Sequence, residues 1–304
     1  MHRGEGAREV VCDEGHRFPI VDEIPRLLPS SEGSDARSIR VSFSGEWAEL
    51  RHGQDRPWGQ DLDTRRAIAL RELDCSPEWL RGRRVLDAGC GAGKLSLILA
   101  EWGAEVVAAD ISSSVGEARR AIAGRDHGRI DFVQADLNRP PFRPGSVDVI
   151  FSGGVLHHNA DTRKSLEALL GLLAPGGTIY VWLYRPLPGL AHKLRAGVRR
   201  VIVPLPSPVQ RAVFRPWAAQ SLLRQRLRVA TGREKGEPLS YRERLITLLD
   251  HYTPRYRWEH TPNEVRDWYE EIGLIDVRQT EDAEYGFGML ARIPAEREAL
   301  AEPL

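Results

Sequence analysis

The feature that most constrains the fold is an apolar strand that runs into three alternating glycines. Residues 85–93 read Val-Leu-Asp-Ala-Gly-Cys-Gly-Ala-Gly, and the segment 94–100 that follows has helical apolar spacing. Glycine at every second position lets the backbone turn without a Cβ clash and lets a ligand lie against the main chain. The sequence therefore predicts a strand, a ligand-binding turn and a helix N-terminus, in that order.

Two nucleotide-binding signatures fit this turn poorly. A Walker loop ends in Gly-Lys followed by Ser or Thr, but Leu95 follows Gly93 and Lys94, so the hydroxyl that would hold magnesium is missing. A dinucleotide-binding turn needs its third glycine at position 94, where the chain has lysine. Neither a nucleoside triphosphate nor a dinucleotide is the expected ligand.

The pattern that remains, Asp-x-Gly-x-Gly-x-Gly, resembles that of the class I S-adenosylmethionine-dependent methyltransferases. Four further segments resemble the family and follow in its order: 105–110, 130–137, 146–154 and 173–182. The resemblance implies an α/β fold of the Rossmann-like type, with a seven-stranded, mostly parallel sheet and helices on both faces. It also implies S-adenosylmethionine as the cofactor.

The same resemblance implies which residues hold the cofactor. Asp87 and the glycines would hold its methionine part, Asp110 would accept hydrogen bonds from both ribose hydroxyls, and Asp136 would contact the adenine amino group. Trp47, in a predicted N-terminal cap, could stabilise the sulfonium through its ring face, or could simply pack the cap onto the sheet. The expected cofactor contacts are Asp87, Gly89, Gly91, Gly93, Asp110, Ile111, Asp136, Leu137, Trp47 and Gly153.

Residues for the chemistry are harder to assign, because methyl transfer needs a general base only when the acceptor atom is protonated. His157 follows the fourth strand of the resemblance, and the stretch 251–261 is dense in aromatic and polar side chains. A purely structural role for these side chains stays open. The predicted catalytic residues are His157, Tyr252 and His260, and the predicted substrate contacts are Tyr184, Arg255 and Tyr256.

A basic segment follows the fifth strand. Residues 185–228 contain ten Arg or Lys and no Asp or Glu, and the segment reads as an amphipathic helix followed by a second helix interrupted near Pro216. The family builds a substrate lid at this position. Three interpretations stay open: binding of an anionic substrate or nucleic acid, contact with a membrane surface, or burial against another helix or subunit.

The N-terminal segment 9–29 resembles the zinc-ribbon-like segment found ahead of some bacterial methyltransferase domains. It offers Cys12 and His16, and two ligands cannot close a tetrahedral site, so no metal is predicted. The predicted organisation is a hairpin and linker over 1–40, a cap and cofactor-binding core over 41–184, a helical lid over 185–260, and a C-terminal helix with closing strands over 261–304.

Composition limits the cellular compartment and the binding partners that we expect. The 43 basic and 43 acidic residues balance, so nucleic acid is not an expected partner. Three scattered cysteines, an N-terminus without a signal-peptide core and the lack of a long apolar run predict a cytoplasmic protein without a transmembrane segment. Homo-oligomerisation, if it occurs, is expected through the lid.

The sequence thus predicts an S-adenosylmethionine-dependent methyltransferase that acts on a small molecule, in specialised metabolism. Two alternatives stay open. One is an enzyme that uses the cofactor differently, for example by internal displacement on its methionine chain. The other is a cofactor-binding protein whose basic lid docks to RNA or a membrane.

Overall fold

The structure is a computed structural model that describes residues 8–29, 32–186, 189–233 and 238–295, and for Ala191 the backbone alone. The predictions made for the first seven residues and for the tail beyond 295 lie outside the described residues.

The described strands form one ten-stranded sheet in the order β1-β2-β3-β6-β5-β4-β7-β8-β10-β9. From β3 to β8 in this order, each strand pairs in parallel with its neighbour. Strand β10 runs antiparallel to both β8 and β9. The strands are β1 (Glu9–Val11), β2 (Arg17–Val21), β3 (Ile24–Leu27), β4 (Arg84–Ala88), β5 (Glu105–Asp110), β6 (Ile130–Ala135), β7 (Val147–Gly153), β8 (Leu173–Tyr184), β9 (Ile275–Asp282) and β10 (Gly286–Arg292).

The predicted count of seven strands is wrong for the sheet as a whole. Strands β4 to β10 supply the seven expected ones, but the N-terminal unit extends the sheet because Arg26 and Leu27 of β3 pair in parallel with Gln134 and Ala135 of β6. The prediction treated the N-terminal hairpin as a separate unit. In the structure it covers the edge of β6, which would otherwise expose unpaired backbone groups.

The described helices flank the sheet on both faces. They are α1 (Ser34–Trp47), α2 (Leu62–Leu73), α3 (Pro77–Leu80), α4 (Lys94–Glu101), α5 (Val115–Ile122), α6 (Thr162–Leu170), α7 (Leu190–Ile202), α8 (Ser207–Ala230), α9 (Tyr241–Tyr252) and α10 (Pro262–Ile272). Ser240 and Thr261 open α9 and α10 with capping boxes, in which Glu243 and Glu264 complete the reciprocal hydrogen bonds.

The predicted interruption at Pro216 is also wrong, because α8 continues through this residue. A proline inside a helix costs about 3 kcal/mol. Burial of its neighbours Phe214 and Ala218, both 0 % exposed, against Leu245 and Leu249 of α9 offsets that cost. Helices α8 and α9 thereby share a small apolar core of their own.

The main core lies on the two faces of the central strands. Alternate side chains of β4 and β7 enter opposite clusters: Leu86 and Ile150 lie with Tyr269 of α10, whereas Val85 and Val149 lie with Leu99 of α4. This alternation follows the two-residue repeat of a strand. It fixes the sheet register and thereby brings the carboxyl ends of β4, β5, β6 and β7 to one edge, where open α/β sheets bind ligands. None of the described helices has the length and apolar character needed to cross a membrane.

Candidate active site

The glycine turn lies at this edge, between β4 and α4. Gly89, Gly91 and Gly93 all have positive φ, at 90°, 49° and 73°, a conformation that costs other residues about 1–2 kcal/mol. At two of these positions there is also no space for a side chain. A Cβ on Gly89 would lie 2.2 Å from Cγ2 of Val155, and one on Gly91 would lie 2.4 Å from Cζ2 of Trp47. The bare backbone of the turn is therefore a packing requirement as well as a conformational one.

Acidic side chains end three neighbouring strands beside this turn. Asp110, after β5, accepts a hydrogen bond from the backbone N–H of Gly91 at 2.9 Å through Oδ2 and from that of Ser112 at 2.7 Å through Oδ1. Asp136, after β6, accepts from the backbone N–H and the side-chain amide of Asn138 through Oδ1, at 2.9 and 3.0 Å. Both side chains are held in place by short loops and retain lone pairs that can accept from a ligand.

Asp87 occupies the end of β4 beneath the glycine turn. Its Oδ2 accepts from Oγ of Ser96 on α4 at 2.6 Å, which links strand and helix. Burial raises the pKa of Asp87 to about 6, and the hydrogen bond from Ser96 opposes that rise. A positive charge placed beside this carboxyl would stabilise its ionised form.

A cavity of about 420 Å³ opens in front of these strand ends. It is lined by the strand ends, by α1, by the end of β8 and by α9. Its size falls within the usual range of small-molecule sites. Among the predicted cofactor contacts, the residues that line it are Asp87, Gly89, Gly91, Asp110, Ile111, Asp136, Leu137, Trp47 and Gly153. Gly93 does not line the cavity but precedes α4 as its N-cap.

The residues predicted to be catalytic are not brought to this cavity. His157 is 0 % exposed, and neither ring nitrogen has a hydrogen-bond partner in the described part of the chain; burial also lowers the pKa of its imidazole well below the usual value. His260 contacts the Thr162 hydroxyl at 2.9 Å and the Glu264 carboxylate at 3.0 Å. The ring of Tyr252 stacks on Phe214 inside the α8–α9 core. The aromatic stretch therefore anchors α9 and the following loop.

Of the predicted substrate contacts, Tyr184 lines the cavity and the other two do not. Arg255 pairs with Asp35 of α1 at 3.2 Å, and Tyr256 stacks on Trp258. Both residues follow α9 on the outer side, whereas Tyr184 is at the end of β8 and its hydroxyl donates to Asp250 of α9.

The predicted site residues do not include four polar groups that line the cavity. These groups are Glu46 of α1, His158 after β7, and Asp250 and His251 of α9. The sequence pointed weakly to His158 and His251, because His158 is next to His157 and His251 begins the aromatic stretch 251–261. It did not point to Glu46 or Asp250, because a single acid on an amphipathic helix is an ordinary surface feature.

Four of the basic residues of 185–228 have partners outside the cavity. Arg195 pairs with Glu259 at 3.2 Å, and Arg199 donates to the backbone carbonyl of Pro254 at 2.8 Å. Arg211 and Arg215 both approach Glu49, at 3.6 and 3.4 Å. None of these arginines lines the cavity. They fasten α7 and α8 to the loop after α9 and to the end of α1.

Comparison with known proteins places this geometry in a class. Residues 86–181 match the family model described as "Methyltransferase domain". That match and the fold together support a core of the class I methyltransferase type.

Individual relatives match over part of their length. The chain is 38% identical over 130 residues, 42% of this chain and 48% of the relative, to demethylmenaquinone methyltransferase of Clavibacter sepedonicus. It is 35% identical over 103 residues to ubiquinone biosynthesis O-methyltransferase of Xanthomonas campestris pv. campestris, covering 34% of this chain and 43% of that one. The chain thus spans about half the length of these curated relatives or less.

One solved structure shares the fold over most of both chains. It is the 1,6-didemethyltoxoflavin-N1-methyltransferase of Burkholderia thailandensis, crystallised with 1,6-didemethyltoxoflavin and S-adenosylhomocysteine. The identity is 16%, the TM-score is 0.50, and the match covers 95% of this chain and 100% of that one. At this identity the similarity shows the fold alone.

Proposed function

We propose that this protein is an S-adenosylmethionine-dependent methyltransferase that acts on a small-molecule acceptor. The observation that carries the proposal is the arrangement at one edge of the sheet, where a bare glycine turn and the carboxyl groups of Asp87, Asp110 and Asp136 line one cavity. The match of residues 86–181 to the methyltransferase domain model supports it. The small-molecule pathways named for the relatives, menaquinone and ubiquinone synthesis, support the class of acceptor.

The residues present fit the cofactor. Each oxygen of Asp110 already accepts one backbone N–H, and a carboxylate oxygen can accept a second donor, so both ribose hydroxyls can be accommodated. Gly89 and Gly91 line the cavity, and the side chain nearest to an added Cβ on Gly91 is the indole of Trp47, which also lines the cavity. The acidic lining suits a ligand with a sulfonium and an ammonium group.

When bound, S-adenosylmethionine supplies an electrophilic methyl group on a positively charged sulfur. The protein's own contribution is to bind both reactants, to orient them and to exclude water from the site. Orientation and the avoided solvent reorganisation can supply about 7–11 kcal/mol in a displacement reaction. Asp110 and Asp136 fix the nucleoside end. Trp47, 8 % exposed and packed edge-on against Trp58, shields the turn from water and offers an aromatic face of the kind that attracts a cation.

The parts around the core extend this proposal. Helices α7 to α9, within the predicted lid 185–260, would cover the acceptor, which is supported by Asp250 and His251 of α9 lining the cavity. We also propose the other predicted domain boundaries and a zinc-ribbon-like ancestry of the N-terminal strands. Association of copies through the lid and a cytoplasmic location are part of the same proposal. Cys12 and His16 lie together, with Sγ and Nδ1 3.4 Å apart, which supports the zinc-ribbon comparison.

Calorimetry with S-adenosylhomocysteine and a methyl-transfer assay test the proposal together. We expect one ligand to bind per chain, and methyl label from S-adenosylmethionine to appear in a small-molecule fraction of a metabolite extract. Absence of binding to either compound would refute the proposal. Label in RNA or lipid, or a product formed from S-adenosylmethionine alone, would instead support the alternatives of a docking protein or an internal displacement.

A further inference from the structure

Two carboxyl groups from distant parts of the sequence line the cavity, and one of them, Asp250, lies beside the ends of β7 and β8. Glu46 lies on α1 and Asp250 on α9, and both line the cavity. The two helices pack together: Ile246 of α9 belongs to the apolar cluster around Trp47, and the hydroxyls of Ser42 and Thr253 are 3.4 Å apart. The position of both carboxyl groups is therefore fixed by helix packing rather than by a mobile loop.

Glu46 is a buried acid without an assigned partner. Its side chain is 2 % exposed, and Oε2 has no hydrogen-bond partner in the described ranges. A buried carboxyl group left unsatisfied costs free energy, and such groups in a cavity commonly await a ligand. Asp250, in contrast, accepts a hydrogen bond from the Tyr184 hydroxyl and lies 3.5 Å from Nε2 of His158.

The surroundings shift the pKa values of the two acids in opposite directions. Burial, together with the charges of Asp250 and Asp110, raises the pKa of Glu46 well above its usual value. Burial also disfavours the charge of Asp250, but His158, His251 and the Tyr184 hydroxyl lower its pKa to about 2. The pair thus resembles other adjacent carboxyl groups in which one is ionised and the other holds a proton.

The lining of the cavity as a whole is rich in aromatic rings, and its Arg and Lys side chains are already paired or hydrogen-bonded, while the Arg257 guanidinium lies over the Tyr184 ring at 3.8 Å and pairs with Glu259. Among the described lining residues the cations are Arg65, which pairs with Glu72 at 2.6 Å, and Lys94, which donates to the backbone carbonyl of Gln60 at 2.6 Å. Both are therefore already engaged. The aromatic lining residues are Phe43, Trp47, Trp58, Phe151, Trp182, Tyr184 and Tyr285. Such rings bind flat molecules and attract cations, whereas an anion would meet two acids here.

We propose that Glu46 and Asp250 form the acceptor-binding end of the cavity, and that the acceptor is an aromatic molecule carrying a basic nitrogen rather than an anionic group. This inference rests on the proposed function, because it assigns the other end of the cavity to the cofactor. It also explains why a chain with so basic a lid need not act on an anion, since the lid arginines pair outside the cavity.

Binding of a protonated amine has a defined proton balance. The neutral carboxyl group of Glu46 releases its proton to the buffer, and the carboxylate formed pairs with the ammonium of the ligand, whose own protons stay in place. The charged and titratable groups around the two acids come from several elements: His251 of α9, His158 after β7, Tyr184 of β8 and Asp110 of β5, together with Arg199 of α7 near Asp250 and Arg257 over Tyr184.

A matched pair of aromatic probes tests the inference. Tryptamine and indole-3-propionate have the same ring and a similar chain but opposite charge. We expect protein saturated with S-adenosylhomocysteine to bind tryptamine at least tenfold more tightly than indole-3-propionate. Calorimetry in phosphate and in Tris buffer should show that tryptamine binding releases a proton.

Two variants separate the role of Glu46 from general effects. Glu46→Gln should weaken tryptamine binding at least tenfold, abolish proton release and leave the affinity for S-adenosylhomocysteine within twofold. The control is Glu49→Gln, three residues along, which removes an acid that pairs with Arg211 and Arg215 outside the cavity. It should bind both probes like the unchanged protein.

Four outcomes would overturn the inference: equal or tighter binding of indole-3-propionate, no measurable binding of either probe, no proton release with tryptamine, or a tenfold loss of S-adenosylhomocysteine affinity in Glu46→Gln. The last would make Glu46 a cofactor ligand. Failure of the unchanged protein to bind S-adenosylhomocysteine would refute the proposed function instead, and titration of the ligand-free protein with the two probes would still decide the acceptor class.

Discussion

The contact between Gly91 and Trp47 gives a prediction whose size can be worked out from the structure. In Gly91→Ala, an alanine at φ 49° costs about 1–2 kcal/mol. The new Cβ would also lie 2.4 Å from Cζ2 and 2.9 Å from Cη2 of Trp47, and forcing the ring away costs about 1–3 kcal/mol, as in an overpacked core. The free energy of unfolding should therefore fall by about 2–5 kcal/mol, which for a chain of 304 residues lowers Tm by about 3–8 °C.

A second background separates these two contributions. Trp47→Phe removes the outer ring of the indole, so Gly91→Ala made in that variant should cost only the conformational 1–2 kcal/mol, about the same as a glycine with free space around it. Gly273→Ala is the matched control, because Gly273 has φ 84° and nothing within 4 Å of its added Cβ. Denaturant unfolding of the four proteins of the cycle measures the difference. An equal cost of Gly91→Ala in both backgrounds would refute the packing of Trp47 on the turn.

Three further predictions follow from single contacts. Asp110→Asn replaces a charged acceptor by an amide, so a loss of about 1.5–3 kcal/mol should weaken S-adenosylhomocysteine binding about 10- to 150-fold in calorimetry; unchanged affinity would contradict the ribose assignment. The pKa of Asp87 is raised to about 6, so the ligand-free protein should lose stability as pH rises from about 4 to about 6, where the folded state binds the extra proton; Asp87→Asn should flatten this slope in denaturant titrations, and an equally steep slope would exclude Asp87 as its origin. Ser240→Ala removes the cap of α9 and should cost about 1 kcal/mol, whereas Ser240→Asp should retain most of the stability; equal Tm values for all three proteins would argue against the cap.

Several features of the fold were predictable because they are local. The glycine turn, the acids at the ends of β5 and β6, and the capping box of α10 each occupy a few consecutive residues, and parallel strands bring their carboxyl ends to one edge whatever the details of packing. The ten-stranded sheet was not predictable in the same way. The pairing of β3 with β6 joins residues about 108 positions apart, as Arg26 and Gln134 show, and no local pattern specifies such a pairing.

The residues predicted to be catalytic show the same difference between local and tertiary information. His157 and His260 have the residue type of a general base. The structure buries His157 with no hydrogen-bond partner for its ring nitrogens among the described residues, and it engages His260 with Thr162 and Glu264. Residue type alone cannot tell which side of a strand end faces a cavity. The direction depends on the turn after β7, where the backbone places His158 toward the cavity and His157 away from it.

The sequence by itself determined the cofactor-binding edge, because the turn, its conformation and its acids are encoded within short segments. Only the tertiary structure decided that Glu46 and Asp250, some two hundred residues apart in the chain, line the same cavity, and that Arg195 and Arg199 have their partners outside it. The physical reason is that helix packing sets which side chains meet. That packing depends on the shapes of whole helices such as α1 and α9, not on any single residue.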